Sequence, residues 1–263
     1  MNSMDSCVRE RVFSSLETQI SQQFFPILKT MGASDSVLKR IERGFLDCYE
    51  HSSHLALSHL RHELTRTGLR DTWNRVLDHA RSAYLAELIA PHVEGVTMDL
   101  LCGDGALAIE LEKMTGQPVH LVERPKDVLN TWRPWIDRIR PFESIDVSFE
   151  GIEADTVVLS TVLHHEQFPR DLIRTAVQKT KKRLVVIENC IDDVFDAEYQ
   201  VFVDLFFNTC LNETKLDSPG AHLREDEWIA ILYEFGFRQV DVVERTTQVP
   251  GIPLSHTVMV ASK

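Results

Sequence analysis

The chain has 263 residues, 43% hydrophobic and 26% charged, a mixture typical of a globular protein with one large domain or a core domain and an addition. Its 40 acidic and 28 basic residues give a formal net charge of −12, so the average surface repels a phosphate backbone, and no cluster of Lys and Arg offsets that field. Composition therefore argues against a nucleic-acid-binding protein, and no apolar segment approaches the ~20 residues that would span a membrane.

Cysteine usage and the N-terminal residues indicate the compartment. The five cysteines are scattered without paired spacing, which predicts reduced thiols rather than a disulfide framework or a zinc site. The N-terminus mixes acidic and basic residues and lacks the apolar stretch of a signal peptide. We therefore expect a soluble, cytoplasmic protein that holds no metal.

Residues 1–92 are predicted to be helical throughout, with no strand before Val96. Apolar side chains recur at helical spacing at Val12, Leu16, Ile20, Phe24, Leu38, Ile41 and Phe45. A further helix is predicted over 72–90. We assign 1–70 to an N-terminal helical region that serves as a lid or as a homodimer contact, and 71–263 to a second domain.

A group of histidines lies in the segment "HSSHLALSHLRH", at His51, His54, His59 and His62. On one helix these four would share a sector of roughly 140°. No pair has the i, i+4 spacing that favours a metal site. The sequence favours a solvated helix face, with a polar stripe facing a substrate and a metal site as the alternatives.

The apolar pattern changes after Gly95. Short runs rich in Val, Ile and Leu lie at 96–101, 118–123, 155–160 and 183–188, and predicted helices lie at 105–115, about 125–139, 169–181 and 193–213. Such runs are typical of parallel strands buried on both faces, and their alternation with helices predicts βαβ units. A helix at 225–235 then precedes two strands around "VPGIP", a connection too short for a crossover helix, so these strands should pair as an antiparallel hairpin.

The segment "MDLLCGDGALA" at 98–108 carries the strongest functional signal. Asp99 is predicted at the carboxyl end of the first strand, Gly103 and Gly105 in the following turn, and Ala106 at the start of a helix. Glycine permits a tight bend and close approach of a ligand, and a helix N-terminus offers unpaired N–H groups. Glu123, twenty residues after Gly103, ends the second strand and could accept both hydroxyls of a ribose.

With these motifs, residues from about 72 to 263 resemble a class I S-adenosylmethionine-dependent methyltransferase of the small-molecule type. "DLLCGDG" is similar to the family's glycine-rich first motif, Glu123 to its second-strand acid, and "ADTVVLSTVLHH" to its fourth strand and the loop that follows. The segment "IDVSF" resembles the family's third strand. The resemblance implies an α/β fold with a doubly wound, mostly parallel seven-stranded sheet, a C-terminal antiparallel hairpin and the N-terminal all-helical region.

The resemblance also implies a cofactor site for S-adenosyl-L-methionine. Its residues would be Asp99, Leu101, Cys102, Gly103, Gly105, Glu123, Asp146, Val147 and Ser160. Glu123 would hold the ribose, Asp146 with Val147 the adenine, and Ser160 would lie near the sulfonium. The sequence departs from the family at Leu101, which stands where the family has its first glycine. Either Leu101 points into the sheet packing and the cofactor still binds, or the cofactor site is rotated or lost.

His164 and His165 follow the fourth strand, at the edge of the sheet where ligands bind in open α/β folds. A histidine there could line the acceptor site or remove a proton from the acceptor. The alternative is that one ring packs the loop while the other faces solvent. We expect a methyltransferase acting on a small apolar or aromatic metabolite. The alternatives are a catalytically silent subunit that binds a partner, and, less favoured, an RNA or protein methyltransferase.

Overall fold

The computed structural model describes residues 16–124, 136–141, 153–212 and 221–263. These residues divide between two units. The helical unit lies within Met1–Asp78, Asp193–Lys215 and Pro250–Pro253, and the sheet unit lies within His79–Asp192, Leu216–Val249 and Leu254–Lys263.

The described elements follow the predicted order, with helices alone at first and strands mixed with helices after residue 96. The α-helices are α1 (Phe25–Thr30), α2 (Asp35–Tyr49), α3 (Ser53–Thr67), α4 (Leu69–Thr72), α5 (Asp78–Ile89), α6 (Ala106–Thr115), α7 (Pro169–Lys179), α8 (Ala197–Phe206) and α9 (Glu225–Glu234). The strands are β1 (Thr97–Leu100), β2 (Val119–Glu123), β3 (Arg140–Pro141), β4 (Ala154–Ser160), β5 (Thr180–Asn189), β6 (Gln239–Thr246) and β7 (His256–Ser262). Within the described ranges no strand precedes β1, as the sequence predicts.

The helical unit is held by aromatic side chains. Phe24 makes edge-to-face contacts with Phe202 and Phe206 of α8, with ring centroids 5.1 and 4.5 Å apart. Phe45 of α2 contacts Phe202 at 5.6 Å, and all four rings are buried. Such edge-to-face pairs add about 0.5–1.5 kcal/mol each beyond the burial of their apolar area. The aromatic residues of α8 therefore build the core of this unit.

The sheet unit contains a mixed sheet in the order β3-β2-β1-β4-β5-β7-β6. Strands β1 to β5 pair in parallel, whereas β7 pairs antiparallel with both β5 and β6. The predicted antiparallel hairpin is therefore confirmed. The chain starts at β1, moves outward through β2 to β3, and returns to β4 on the other side of β1. In open α/β sheets ligands bind at this reversal, outside the carboxyl ends of the strands.

One detail of the described sheet differs from the prediction, and two predicted elements fall largely on residues that the structure does not describe. The described sheet contains six strands of four or more residues, and within the described residues the third strand is the two-residue segment Arg140–Pro141. The predicted third strand at 145–149 and most of the predicted helix at 125–139 lie outside the described residues. Residues 136–138 form one 3₁₀ turn.

Two helical predictions also need correction. The predicted helix at 193–213 starts only at Ala197, because Asp196 accepts a hydrogen bond from the Tyr199 amide at 2.9 Å and caps it there, and it ends in a π-helical turn over Phe207–Leu211. His51 precedes the cap of α3, Ser52, so it does not share that helix with the other three histidines. Among these, His54 and His62 are exposed. No described helix is long and apolar enough to cross a bilayer.

Candidate functional site

The glycine turn follows β1 with the backbone that the sequence predicts. Gly103 and Gly105 have φ of 57° and 78°, the left-handed region that glycine occupies without a steric cost, and Gly105 caps α6. A Cβ placed on Gly103 would meet no atom within 4 Å, so its backbone faces open space. The Asp104 carboxylate accepts a hydrogen bond from the Ala106 amide at 3.0 Å and completes the start of the helix.

Leu101 keeps the conformation that favours glycine. Its φ is 62°, and its side chain, only 8% exposed, belongs to the buried apolar cluster that includes Leu100 of β1 and Leu163. The left-handed conformation costs an L-residue about 1–2 kcal/mol. Burial of a leucine side chain yields about 1.5–3 kcal/mol, which offsets that cost. The side chain thus packs in the core while the turn retains its shape.

Glu123 lies where the second strand ends and contacts the turn directly. The Gly103 amide donates to Glu123 Oε2 at 2.6 Å, and the Arg124 amide donates to Oε1 at 2.7 Å. The side chain is 4% exposed. These two bonds fix the carboxylate beside the glycine turn, and a carboxylate oxygen can accept more than one donor.

Asp99 adds a second buried carboxyl group at the same edge. Its Oδ2 has no hydrogen-bond partner, and the residue is 2% exposed. Burial, followed by the charges of Glu123 and Asp104, raises the pKa of Asp99 from 3.8 to about 7. Burial also raises the pKa of the neighbouring Cys102 thiol, which therefore stays protonated at neutral pH. The edge holds an unsatisfied carboxyl group and an acidic field, which together favour a cationic ligand.

His164 forms a buried pair with a carboxylate that sequence reasoning missed. Its Nδ1 lies 2.7 Å from Glu188 Oε2, and the Leu163 amide donates to Oε1 of the same group at 2.7 Å. Burial acts to raise the pKa of Glu188, but His164 and the Leu163 amide outweigh it and hold the pKa below its ordinary value. Glu188 therefore fixes the orientation of the His164 imidazole through Nδ1.

Two other imidazole rings lie beside His164, and polar side chains lie at and after the end of β4. His165 and His222 lie 4.2 and 5.0 Å from the His164 ring between centroids, and the His222 ring is nearly parallel to it, at 19°. Ser160, half-buried, ends β4. After it Thr161 adopts a φ of 53°, and Arg81 donates a hydrogen bond to its Oγ1 at 2.9 Å.

A second pair that the sequence did not predict joins two segments of the edge. Arg124, directly after β2, donates to both oxygens of Glu166 at 2.6 and 2.8 Å. Glu166 ends the short 3₁₀ helix Leu163–His165, which carries His164. Neither residue belongs to a motif, and 42 positions separate them. An acid at the end of an apolar run in the sequence was the available signal for Glu188, as it was for Glu123.

The structure therefore brings most of the predicted residues to one edge of the sheet. The turn residues follow β1, Glu123 ends β2, and Ser160, His164 and His165 lie at or after the end of β4. Asp146 and Val147, the residues predicted to hold an adenine, lie outside the described residues.

The architecture can be compared with that of known proteins. No protein-family model matches the sequence, and a search of the curated proteins finds no match either. Among solved structures, the apo form of the S-adenosylmethionine-dependent methyltransferase SibL superposes with a TM-score of 0.57 at 18% identity, over 94% of this chain and 76% of that one. The YcgJ protein from Bacillus subtilis gives a TM-score of 0.50 at 11% identity, over 70% of this chain and 98% of that one.

The mitomycin 7-O-methyltransferase MmcR gives a TM-score of 0.49 at 22% identity, over 89% of this chain and 70% of that one. This chain is shorter than MmcR and SibL, and it spans only 61% of a Burkholderia thailandensis O-methyltransferase family protein. The sheet order, the glycine turn and the likeness to SibL agree with one another: the chain has the fold of the class I S-adenosylmethionine-dependent methyltransferases.

Proposed function

We propose that the protein transfers a methyl group from S-adenosylmethionine to a hydroxyl group of a small apolar or aromatic metabolite. The observation that carries the proposal is the Glu123 carboxylate held by the Gly103 amide, at the edge where the strand order reverses. A carboxylate there can accept both hydroxyls of a ribose, as in other nucleoside-binding α/β folds.

The described residues fit that cofactor. Open space next to Gly103 lets a ligand approach the backbone, and Asp99 offers a carboxyl oxygen without a partner. The acidic groups suit the positive charges of S-adenosylmethionine. We propose Asp99, Leu101, Cys102, Gly103, Gly105, Glu123 and Ser160 as its neighbours, together with Asp146 and Val147 for the adenine.

The cofactor, when bound, supplies a methyl group already activated by positive sulfur, so the protein has to align the acceptor and remove a proton. We assign proton removal to His164: its Nε2 would take the proton of the acceptor hydroxyl while the oxygen forms its bond to the methyl carbon, the carbon–sulfur bond breaks and S-adenosylhomocysteine leaves as a neutral thioether. Glu188 fixes the ring through Nδ1 and stabilises the imidazolium that results. His165, whose ring centroid lies 4.2 Å from that of His164, would line the acceptor side of the site. Alignment alone can contribute several kcal/mol to such a reaction.

The silent-subunit alternative rested on Leu101. Because that side chain packs in the core and the turn keeps its glycine-like backbone, the substitution does not by itself argue against a cofactor. The RNA or protein methyltransferase alternative receives no support from the acidic composition.

The proposal extends to the domains and the compartment. We propose that 71–263 forms the catalytic domain with a doubly wound seven-stranded sheet, and that 1–70 acts as its lid or as a homodimer contact. We also propose that the protein is cytoplasmic and binds neither nucleic acid nor metal. Among the described residues, Cys48, Cys102, Cys190 and Cys210 form no disulfide, which supports a reducing compartment.

Calorimetry with S-adenosylmethionine and S-adenosylhomocysteine tests the proposal. We expect both to bind the wild-type protein and Glu123→Ala to weaken binding by roughly 10–100-fold, since a charged hydrogen bond contributes about 1.5–3 kcal/mol. Glu234→Gln, which alters an exposed carboxylate in the same unit, serves as the control. Absence of binding at millimolar ligand, or equal affinity in Glu123→Ala, would refute it. A radiolabelled methyl assay with a panel of phenols, and with total RNA as the competing substrate, then identifies the acceptor class.

A further inference from the structure

The ion pair between Arg124 and Glu166 has a geometry unlike that of a surface salt bridge. Two guanidinium nitrogens bind two carboxylate oxygens at 2.6 and 2.8 Å, a bidentate arrangement that fixes both groups in orientation as well as in distance. The Arg124 and Glu166 side chains are only 26% and 16% exposed, so solvent screens the pair less than an open one.

The sheet order determines what this pair crosses. Arg124 follows β2 and Glu166 follows β4, and these strands are not neighbours because β1 lies between them. All three run parallel, so their carboxyl ends meet at the same edge. The pair therefore joins the two segments that follow the strands on either side of β1.

The pair also closes one end of the segment that carries His164. The 3₁₀ helix Leu163–His165 is anchored at its first residue by Glu188, which accepts from the Leu163 amide. Its last turn closes when the Glu166 amide donates to the Leu163 carbonyl at 3.1 Å. The Glu166 side chain is in turn bound by Arg124.

We propose that Arg124 is a positioning residue: by binding Glu166, it holds the turn that carries His164 at a fixed position relative to the Glu123 carboxylate. Arg124 is adjacent to Glu123 in sequence, and its amide binds that carboxylate, so one residue connects both ends of the site. The consequence for methyl transfer rests on the proposed function. Misplacement of a reacting group by about 1 Å can lower a rate about 100-fold. Loss of the Arg124–Glu166 ion pair, which we call the strap, should therefore lower turnover more than it weakens cofactor binding.

Hydrogen exchange tests the strap without any ligand. In Arg124→Gln and Glu166→Gln, the amides of the peptide over 161–168 should exchange about 10-fold faster, since the charged bond opposes local opening of the turn. Arg124→Lys keeps the charge without the bidentate fork and should give an intermediate rate. The control is Arg170→Gln, which removes an exposed pair with Glu234 in the same unit and should leave this peptide unchanged. Unchanged exchange in Arg124→Gln would overturn the proposal whatever the activity.

Turnover and binding test the positioning role. With 1-naphthol as the acceptor probe, or the phenol that the panel shows to react fastest, kcat of Arg124→Gln should fall about 10–100-fold. The Kd for S-adenosylhomocysteine should stay within about 3-fold, and the swap Arg124→Glu with Glu166→Arg should recover part of kcat. An equal fall in affinity would make Arg124 a cofactor ligand, and an unchanged kcat would make the pair structural only; either result overturns the positioning role. If the wild-type protein binds no cofactor, the proposed function fails, and the exchange data alone decide whether the strap holds the turn.

Discussion

Replacement of Asp99 by asparagine should make the protein more stable above neutral pH while it weakens the proposed cofactor site. The pKa of Asp99 is about 7 in the folded protein against 3.8 as the ordinary value, mainly because the group is buried and secondarily because Glu123 and Asp104 lie near. Between these two pH values the folded protein binds a proton that the unfolded chain releases. The free energy of unfolding therefore falls as pH rises through this window.

The size of the effect follows from the shift. About three pH units at about 1.36 kcal/mol each give a loss of roughly 4 kcal/mol between about pH 4 and pH 8. An asparagine amide does not titrate in this range, so the Asp99→Asn protein should show no such loss. Every other titrating group is common to both proteins, and the difference between their unfolding free energies isolates Asp99.

Urea unfolding of both proteins at several values between about pH 4 and pH 8.5 measures this difference. We expect Asp99→Asn to gain several kcal/mol relative to the wild type over that range, and its affinity for S-adenosylmethionine to fall in calorimetry. Gain of stability with loss of binding is typical of a site residue. A difference that stays constant with pH would show that Asp99 is ionised in the folded protein and would refute the electrostatic account of this edge.

Three further substitutions test other parts of the sheet unit by urea unfolding. Leu101→Ala should lower the free energy of unfolding by about 2–5 kcal/mol. Leu101→Gly should lower it by about 0.5–1 kcal/mol less than alanine does, because glycine relieves the strain of the left-handed backbone. A larger loss for glycine than for alanine would argue against strain at this turn. The lowered pKa of Glu188 means that its ionised form stabilises the fold above pH 4.5, the ordinary pKa of the group. The loss of unfolding free energy in Glu188→Gln, relative to the wild type, should therefore shrink as pH falls below that value. A loss that does not change with pH would contradict the pair with His164. Burial, and secondarily the charge of Arg81, lowers the pKa of His256 from 6.5 to about 3. The wild type should therefore lose stability relative to His256→Asn as pH falls from 6.5 towards 3. Unfolding free energies of the two proteins that change in parallel with pH would contradict this.

The sequence predicted those parts of the site that depend on local rules. Gly103 and Gly105 have positive φ because the chain must bend sharply between a buried strand and a helix, and that requirement is visible in the residue types. Glu123 was found because it ends an apolar run at a fixed distance from the turn. Both inferences need only one continuous strand–turn–helix–strand segment.

The parts that the sequence missed depend on the order of strands. Glu188 reaches His164 because β4 and β5 are neighbours, and Arg124 reaches Glu166 because β2 and β4 lie on either side of β1. Hydrophobic periodicity shows which segments are strands but not which of them are adjacent. A buried acid at the end of an apolar strand is nevertheless a usable signal, since Glu123 and Glu188 share it.

Leu101 shows how a motif can lose a residue type and keep its backbone. The left-handed conformation costs leucine about 1–2 kcal/mol, whereas burial of the side chain returns about 1.5–3 kcal/mol. The two effects nearly cancel, so the turn at Gly103 and its bond to Glu123 persist without the first glycine. A glycine is indispensable in such a turn only where its missing Cβ makes room for a ligand or for another backbone. At Leu101 the side chain points into the core cluster, while the open space lies at Gly103, which the chain retains.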